Sequence, residues 1–230
     1  MKHLLVLCTS IFLIGCAAEV VTPIEMGYEY QKLKIGEYRI YEVDSITVDD
    51  FFDPPQIDTV SYLVREEVTD TFYDNEQRLS YRLERSKKFK QDTLSYDSIA
   101  WTLKDVWYAT LTNRRYEKVE ENVRFVRLNF PIEPGRTWDG NALNTEESWE
   151  YEYIDVDVPL TIGALSFDST CYVLHANDTN LIERRFAYEI YGKNVGLIKK
   201  ELKDVRYKFP EGIMESGVIF DQTLIEYYIP

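Results

Sequence analysis

Histidine and cysteine are scarce in this chain. It holds 2 histidines and 3 cysteines in 230 residues. That scarcity excludes most chemistry built on either residue. Beyond the N-terminal segment the sole histidine is His175, so a Ser-His-Asp or Cys-His arrangement would have to use it. Cys171 lies four residues earlier. On a strand that spacing puts the two Cα atoms about 13 Å apart, too far for a hydrogen bond. Cys171 therefore reads as a small buried apolar residue and His175 as a strand-end residue. Zinc needs three or four nitrogen or sulfur ligands, which one cysteine and one histidine do not supply. No phosphate loop, GxGxxG or GxSxG motif occurs. The sequence thus calls for no catalytic residue, metal or cofactor. Positive charge is also short: 26 Lys and Arg against 40 Asp and Glu, a net charge of −14. Such an excess argues against nucleic acid and against anionic lipid headgroups as partners of the domain surface.

No apolar run reaches the length of about 20 residues that a membrane-spanning helix needs. A shorter run is present at the start. MKHLLVLCTSIFLIG has one lysine and then two apolar stretches, Leu4 to Leu7 and Ile11 to Ile14, the layout of an export signal. It ends at Leu13-Ile14-Gly15-Cys16. This junction resembles the lipobox of bacterial lipoproteins. The resemblance implies cleavage before Cys16, diacylglycerol on the Cys16 thiol and acylation of the new amine. Two or three acyl chains would anchor the protein to a membrane, each buried CH₂ adding about 0.8 kcal/mol. Ala17 is not an aspartate of the kind that retains enterobacterial lipoproteins in the inner membrane. The outer membrane is the expected address. The expected organisation is a signal peptide at 1–15, a lipidated tether at 16–27 and a β-rich domain at 28–230. Extended, the tether reaches roughly 35 Å. Cys8 leaves with the signal and Cys16 carries lipid, so no internal disulfide is available and the core must hold the domain.

What the chain has in quantity is aromatic residues, 14% of the total and mostly tyrosine, which suit strands. Alternating faces recur: Val60, Tyr62 and Val64; Leu79, Tyr81 and Leu83; Val126, Leu128 and Phe130; Phe186, Tyr188 and Ile190. A longer face runs through Trp101, Leu103, Trp107 and Ala109, with both tryptophans and Leu103 expected inside. Turn signals such as Asp53-Pro54-Pro55, Pro134-Gly135 and Asp139-Gly140 separate the runs. The fold class that follows is mainly β: one antiparallel β-meander domain curled into a half-barrel, barrel or sandwich, with few short helices.

LKIGEYRIY (33–41) and IEPGRTWDG (132–140) echo one another, each with a glycine after an apolar residue and a charge, then an aromatic. Two similar strand starts or a duplicated half-domain would both explain them. These segments, together with VGLIKKE at 195–201, resemble uncharacterised envelope lipoproteins of Bacteroidota type. That resemblance implies an exported β-rich domain and no known activity.

Three further patterns carry candidate chemistry. VDDFFDPP (48–55) clusters acids but lacks the spacing of an EF-hand, and reads as a solvated loop. WEYEYIDVDV (149–158) alternates aromatic and acid. It reads as a sheet with one packed and one wet face, or as an aromatic platform for carbohydrate. Asp-(Ser/Thr)-aliphatic or small triplets occur at Ser45, Thr59, Thr93, Ser98 and Ser169, where composition alone predicts about one. They resemble the O-glycosylation sequon of exported Bacteroidota-type proteins, although turn-to-strand junctions enrich the same triplet. The leading expectation is a non-enzymatic binding or structural module of the envelope, its protein or glycan partner unnamed. The alternatives are a carrier of an apolar ligand on a greasy concave face, and a hydrolase using two carboxylates about 5–10 Å apart.

Overall fold

The structure, a computed structural model, describes residues 23–91 and 93–230. The described residues hold two 3-10 turns, Tyr28–Tyr30 before the first strand and Tyr96–Ser98 before the fourth, and twelve strands. The first six are β1 (Tyr38–Asp49), β2 (Gln56–Tyr73), β3 (Leu79–Phe89), β4 (Thr102–Leu111), β5 (Arg115–Glu120) and β6 (Val123–Asn129). The second six are β7 (Thr137–Asp139), β8 (Glu150–Ile162), β9 (Leu165–Thr179), β10 (Glu183–Gly192), β11 (Gly196–Lys208) and β12 (Ile213–Tyr228).

All twelve belong to one antiparallel sheet in the order β6-β5-β4-β3-β2-β1-β12-β11-β10-β9-β8-β7. Each strand pairs with its neighbour in sequence, and β12 returns to β1 along an eleven-pair register. The exception is the seam between β6 and β7. It is drawn together by the Val126 N–H donating to Gly140 O at 2.9 Å and the Trp138 indole N–H donating to Val126 O at 2.9 Å. The sheet is thereby a nearly closed, up-and-down barrel, which leaves few unpaired edges. Tight turns fit their chemistry: Glu121-Asn122 joins β5 to β6 with φ of 48° and 65°, the left-handed pair that a two-residue hairpin requires.

The two echoed segments share one geometry. Gly36 (φ 88°) and Gly135 (φ 78°) both take left-handed backbone, which favours glycine. Gly36 donates its N–H to Val68 O, Glu37 donates to Lys34 O, and Val68 donates back to Glu37 O. Gly135 donates to Tyr153 O, Arg136 to Glu133 O, and Tyr153 back to Arg136 O. One turn starts β1 against β2 and the other starts β7 against β8, six strands later. A duplicated half-domain of six strands has this spacing.

The buried apolar side chains form two clusters. The larger includes Leu83, Ala109, Tyr116, Leu128, Trp138, Tyr151, Tyr153 and Val173. The smaller includes Tyr41, Val43, Val64, Phe167, Ile198 and Leu224. Tyr151 and Tyr153 are 1% and 0% exposed, so the alternation in WEYEYIDVDV is core packing and not a carbohydrate platform. Asp49 ends β1, Asp50 and Asp53 lie between β1 and β2, and all three are exposed.

The face through Trp101 and Trp107 departs from its expectation. Trp107 and Trp101 are half-buried, while Leu103 is 49% exposed. The cause is a β-bulge. Arg85 pairs with Asp105 and Ser86 with Leu103, so Lys104 is the extra residue. One inserted residue reverses the alternation, turning Leu103 outward while Asp105 and Trp107 keep one face.

Candidate functional site

The interior of the barrel is charged where an apolar face was expected. Between the two clusters lies a cavity of about 150 Å³. Its walls come from alternate residues of several strands: Arg39 and Tyr41 of β1, Leu83 and Arg85 of β3, Tyr116, Lys118 and Glu120 of β5, Glu189 and Tyr191 of β10. Period-two alternation therefore carries ions inward beside tyrosines. The carrier of an apolar ligand loses its basis here, because the concave face presents guanidinium, ammonium and carboxylate groups.

The ions are paired across strands. Glu66 Oε2 on β2 lies 2.8 Å from Lys118 Nζ and 3.3 Å from Arg85 Nε. Glu120 Oε2 is 3.0 Å from Arg127 Nη2 and 3.8 Å from Lys200 Nζ. Glu189 Oε1 meets the same two cations, Lys200 at 3.2 Å and Arg127 at 3.6 Å. The Tyr191 hydroxyl donates to Glu189 Oε2 at 2.5 Å. Arg85 stacks over the Trp107 ring at 3.6 Å, and Lys118 Nζ lies 5.0 Å from that ring. Arg39 is held by Glu37 at 3.2 Å.

Burial pushes each of these carboxyls upward, and the cations outweigh it for three of them. Arg127, Lys200 and Lys118 bring Glu120 down to about 2. Arg127, Lys200 and His175 lower Glu189, and Lys118 and Arg85 lower Glu66. Glu37 is raised by burial. A two-carboxylate hydrolase needs one partner kept protonated. Glu120 and Glu189, sharing Arg127 and Lys200, are both held ionised, so neither supplies that protonated partner.

His175 is not a strand-end residue. It is buried beside a bulge in the β9–β10 pairing, stacked on Tyr151 with centroids 3.8 Å apart. Its Nε2 lies 3.8 Å from Glu189 Oε2. Burial drives its pKa down to about 3, so the ring is neutral. Cys171 is fully buried, as expected, and burial pushes its thiol upward.

The cavity is incompletely satisfied. Arg85 Nε and Arg127 Nε in its wall are buried without a hydrogen-bond partner. So are His175 Nε2 and Glu37 Oε2, which stand behind the wall against Glu189 and Arg39. A second buried charge cluster, on β5 and its neighbours, differs. Glu117 Oε1 accepts from Arg115 Nε at 2.6 Å and Oε2 from Arg124 Nη1 at 2.6 Å, while Arg78 Nη1 reaches both at 3.2 Å. Arg78 also grips Asp74 Oδ2 at 2.8 Å.

The residues singled out in the sequence do not converge on the cavity. Cys16 lies outside the described residues. Thr59, Thr93 and Ser98 are exposed, and Ser45 is half-buried in β1. Ser169, also half-buried, spends its hydroxyl on Asp157 Oδ1 at 2.6 Å and shares a hydrogen bond with Tyr30 at 2.8 Å. Conversely, Glu66, Arg85, Lys118, Glu120, Arg127 and Glu189 escaped the sequence reading. For Arg85, Lys118 and Glu189 the signal was a charge two residues from a core leucine or tyrosine, as in Tyr116-x-Lys118 and Glu189-x-Tyr191; Glu66, Glu120 and Arg127 carried none.

No family model matches the chain, and no curated protein matches its sequence. Two solved structures are similar in fold. One is a protein from Bacteroides fragilis NCTC 9343 described as exported and of YmcC-like fold. It is 10% identical, with a TM-score of 0.43, over 85% of this chain and 97% of its own. The other, from Parabacteroides distasonis ATCC 8503, is described as a lipoprotein. It is 11% identical, with a TM-score of 0.44, over 86% of this chain and 98% of its own.

Proposed function

We propose that this is a lipid-anchored envelope protein whose barrel is a non-enzymatic binding module for a small polar solute. The observation that carries the binding reading is the cavity walled by ion pairs and unpartnered polar atoms. Buried charges are costly unless fully compensated, and a void beside them calls for water or solute. Anchoring rests on the lipobox resemblance at Cys16, and the outer-membrane address on Ala17. The five Asp-(Ser/Thr) triplets add O-glycosylation to the proposal, with Thr59, Thr93 and Ser98 the accessible acceptors.

Three experiments test it. Cells fed labelled fatty acid should label the parent and not Cys16→Ser, which should leave the detergent phase; persistent acyl label on Cys16→Ser defeats the anchor. An intact mass of the native protein equal to polypeptide plus lipid removes the glycans. For binding, the full chain in detergent is heated with a panel of small ions, zwitterions and neutral polyols. A saturable rise in Tm by any member supports the module. A flat response across the panel makes the barrel a structural element.

A further inference from the structure

Resting on that binding reading, we infer that the cavity is a site for a small oxyanion, a carboxylate or phosphate group. Five cations line it, Arg39, Arg85, Lys118, Arg127 and Lys200, against three carboxylates, Glu66, Glu120 and Glu189. Glu37 stands behind Arg39 at 3.2 Å, and Asp105 is matched by Lys87 at 3.1 Å. Counting all of these leaves one positive charge in excess. The chain as a whole carries −14, so the interior runs against the sign of the molecule.

The unpartnered atoms point the same way. Arg85 and Arg127 are more than nine-tenths buried, and the Nε of each lacks an acceptor. Arg85 Nε is 3.3 Å from Glu66 Oε2 without making a hydrogen bond to it. An N–H of guanidinium has no acceptor function, so these two atoms are satisfied only by an oxygen brought in. A cation or an apolar molecule would leave them bare. Guanidinium forks suit planar carboxylate and tetrahedral phosphate alike. The volume of about 150 Å³ is that of a cavity able to take a benzene-sized guest, which limits the occupant to a few heavy atoms. Tyr62, Trp107, Lys200 and Phe220 line the cavity and are only partly buried, which gives it a way out to solvent.

The test is titration calorimetry of the full chain in detergent at constant ionic strength. Sodium phosphate, sodium acetate, glycine and ethylammonium chloride are added separately. Saturable one-site binding of phosphate or acetate is expected, and which of the two binds tells the sources apart. Lys200→Gln and Arg85→Gln should each weaken it at least tenfold, Lys200 being the safer variant because its side chain is 24% exposed. Each variant is first shown to unfold cooperatively. Binding of ethylammonium or glycine without either oxyanion overturns the inference and leaves the binding module standing. No heat from any of the four overturns the inference too, and the wider thermal panel then decides the module separately. Oxyanion binding unchanged in Lys200→Gln and Arg85→Gln places the site elsewhere and is equally fatal.

Discussion

Two clusters of buried charge sit on opposite sides of one strand, and they are built differently. Glu117 of β5 is enclosed by Arg78, Arg115 and Arg124, both carboxylate oxygens filled, and none of these side chains has a buried atom without a partner. Tyr116, Lys118 and Glu120 of the same strand face the cavity, where Arg85 and Arg127 leave buried atoms unmatched, as do His175 and Glu37 behind its wall against Glu189 and Arg39. The first is a closed knot that holds the β2–β3 turn to β5 and β6. The second is an open web with room inside it. Buried ion pairs are poor evidence of stability on their own account. What separates structure from site here is satisfaction: one cluster completes its own hydrogen bonds and the other waits for an oxygen.

The largest effect should come from cutting the knot. Glu117→Gln leaves three guanidinium groups around a neutral amide. Removing one partner of a buried pair costs 3–5 kcal/mol, and about 3 kcal/mol is expected because Arg115 is 38% exposed and partly hydrated. Glu120→Gln should cost about 1–2 kcal/mol, since Glu189 still faces both Arg127 and Lys200 and the cavity admits water. Urea midpoints at neutral pH measure both. Equal shifts would erase the distinction between knot and web.

Acid should separate the clusters next. His175 titrates near 3 when folded and at its ordinary 6.5 when unfolded. Between those values the unfolded chain binds the proton and the folded chain does not. Stability is therefore full above pH 6.5 and falls on acidification, by up to about 1.4 kcal/mol per pH unit. The depressed carboxylates, Glu120 in the web and Asp74 in the knot, stabilise in full above their unfolded values near 4.5 and 3.8 and lose that contribution only as the pH falls below them. The window from 6.5 to 4.5 thus reports on the web alone. Glu37, raised by burial, opposes His175 there. His175→Phe keeps a ring against Tyr151 and should flatten the acid side of the stability profile between pH 6.5 and 4.5. An unchanged slope in that variant would assign the proton to another group.

The meander was legible because core residues such as Tyr41, Val43, Tyr151 and Tyr153 alternate with exposed or outward ones, and turn residues fall between the runs. The site was not legible, for the same reason. On β10 the apolar residues Phe186, Tyr188 and Ile190 alternate convincingly, yet all three are only half-buried, and the fully buried row is Ala187, Glu189 and Tyr191. Hydrophobic patterning assigns the inward face by polarity, so it fails wherever a barrel puts ions inside. Bulges compound this. The extra residue at Lys104 moved Leu103 outward, and nothing in the local composition announces it. His175 was misplaced for a related reason: a histidine near a strand end reads as exposed until Tyr151 and Glu189 are brought to it across the sheet.

The smallest expected effect tests whether the web needs a guanidinium or only a charge. Arg85→Lys keeps the positive charge near Glu66 but loses the flat group that stacks on Trp107 at 3.6 Å and the unpartnered Nε. A stacked cation contributes about 0.5–1 kcal/mol at a partly exposed ring, so the unfolding free energy should fall by about that much. Trp107 emission should shift as its neighbour changes. Arg124→Lys is the matched change in the knot, where the guanidinium lies 6.0 Å from the Tyr108 ring and makes its closest contact through Nη1 to Glu117. The two variants should lose similar amounts of stability and part company over solute. Phosphate should raise the Tm of Arg124→Lys as it does the parent and leave that of Arg85→Lys nearly unmoved, because a lysine ammonium cannot restore the donor that Arg85 holds out of its pairing with Glu66. If phosphate protects both variants alike, the open web is only a looser version of the knot.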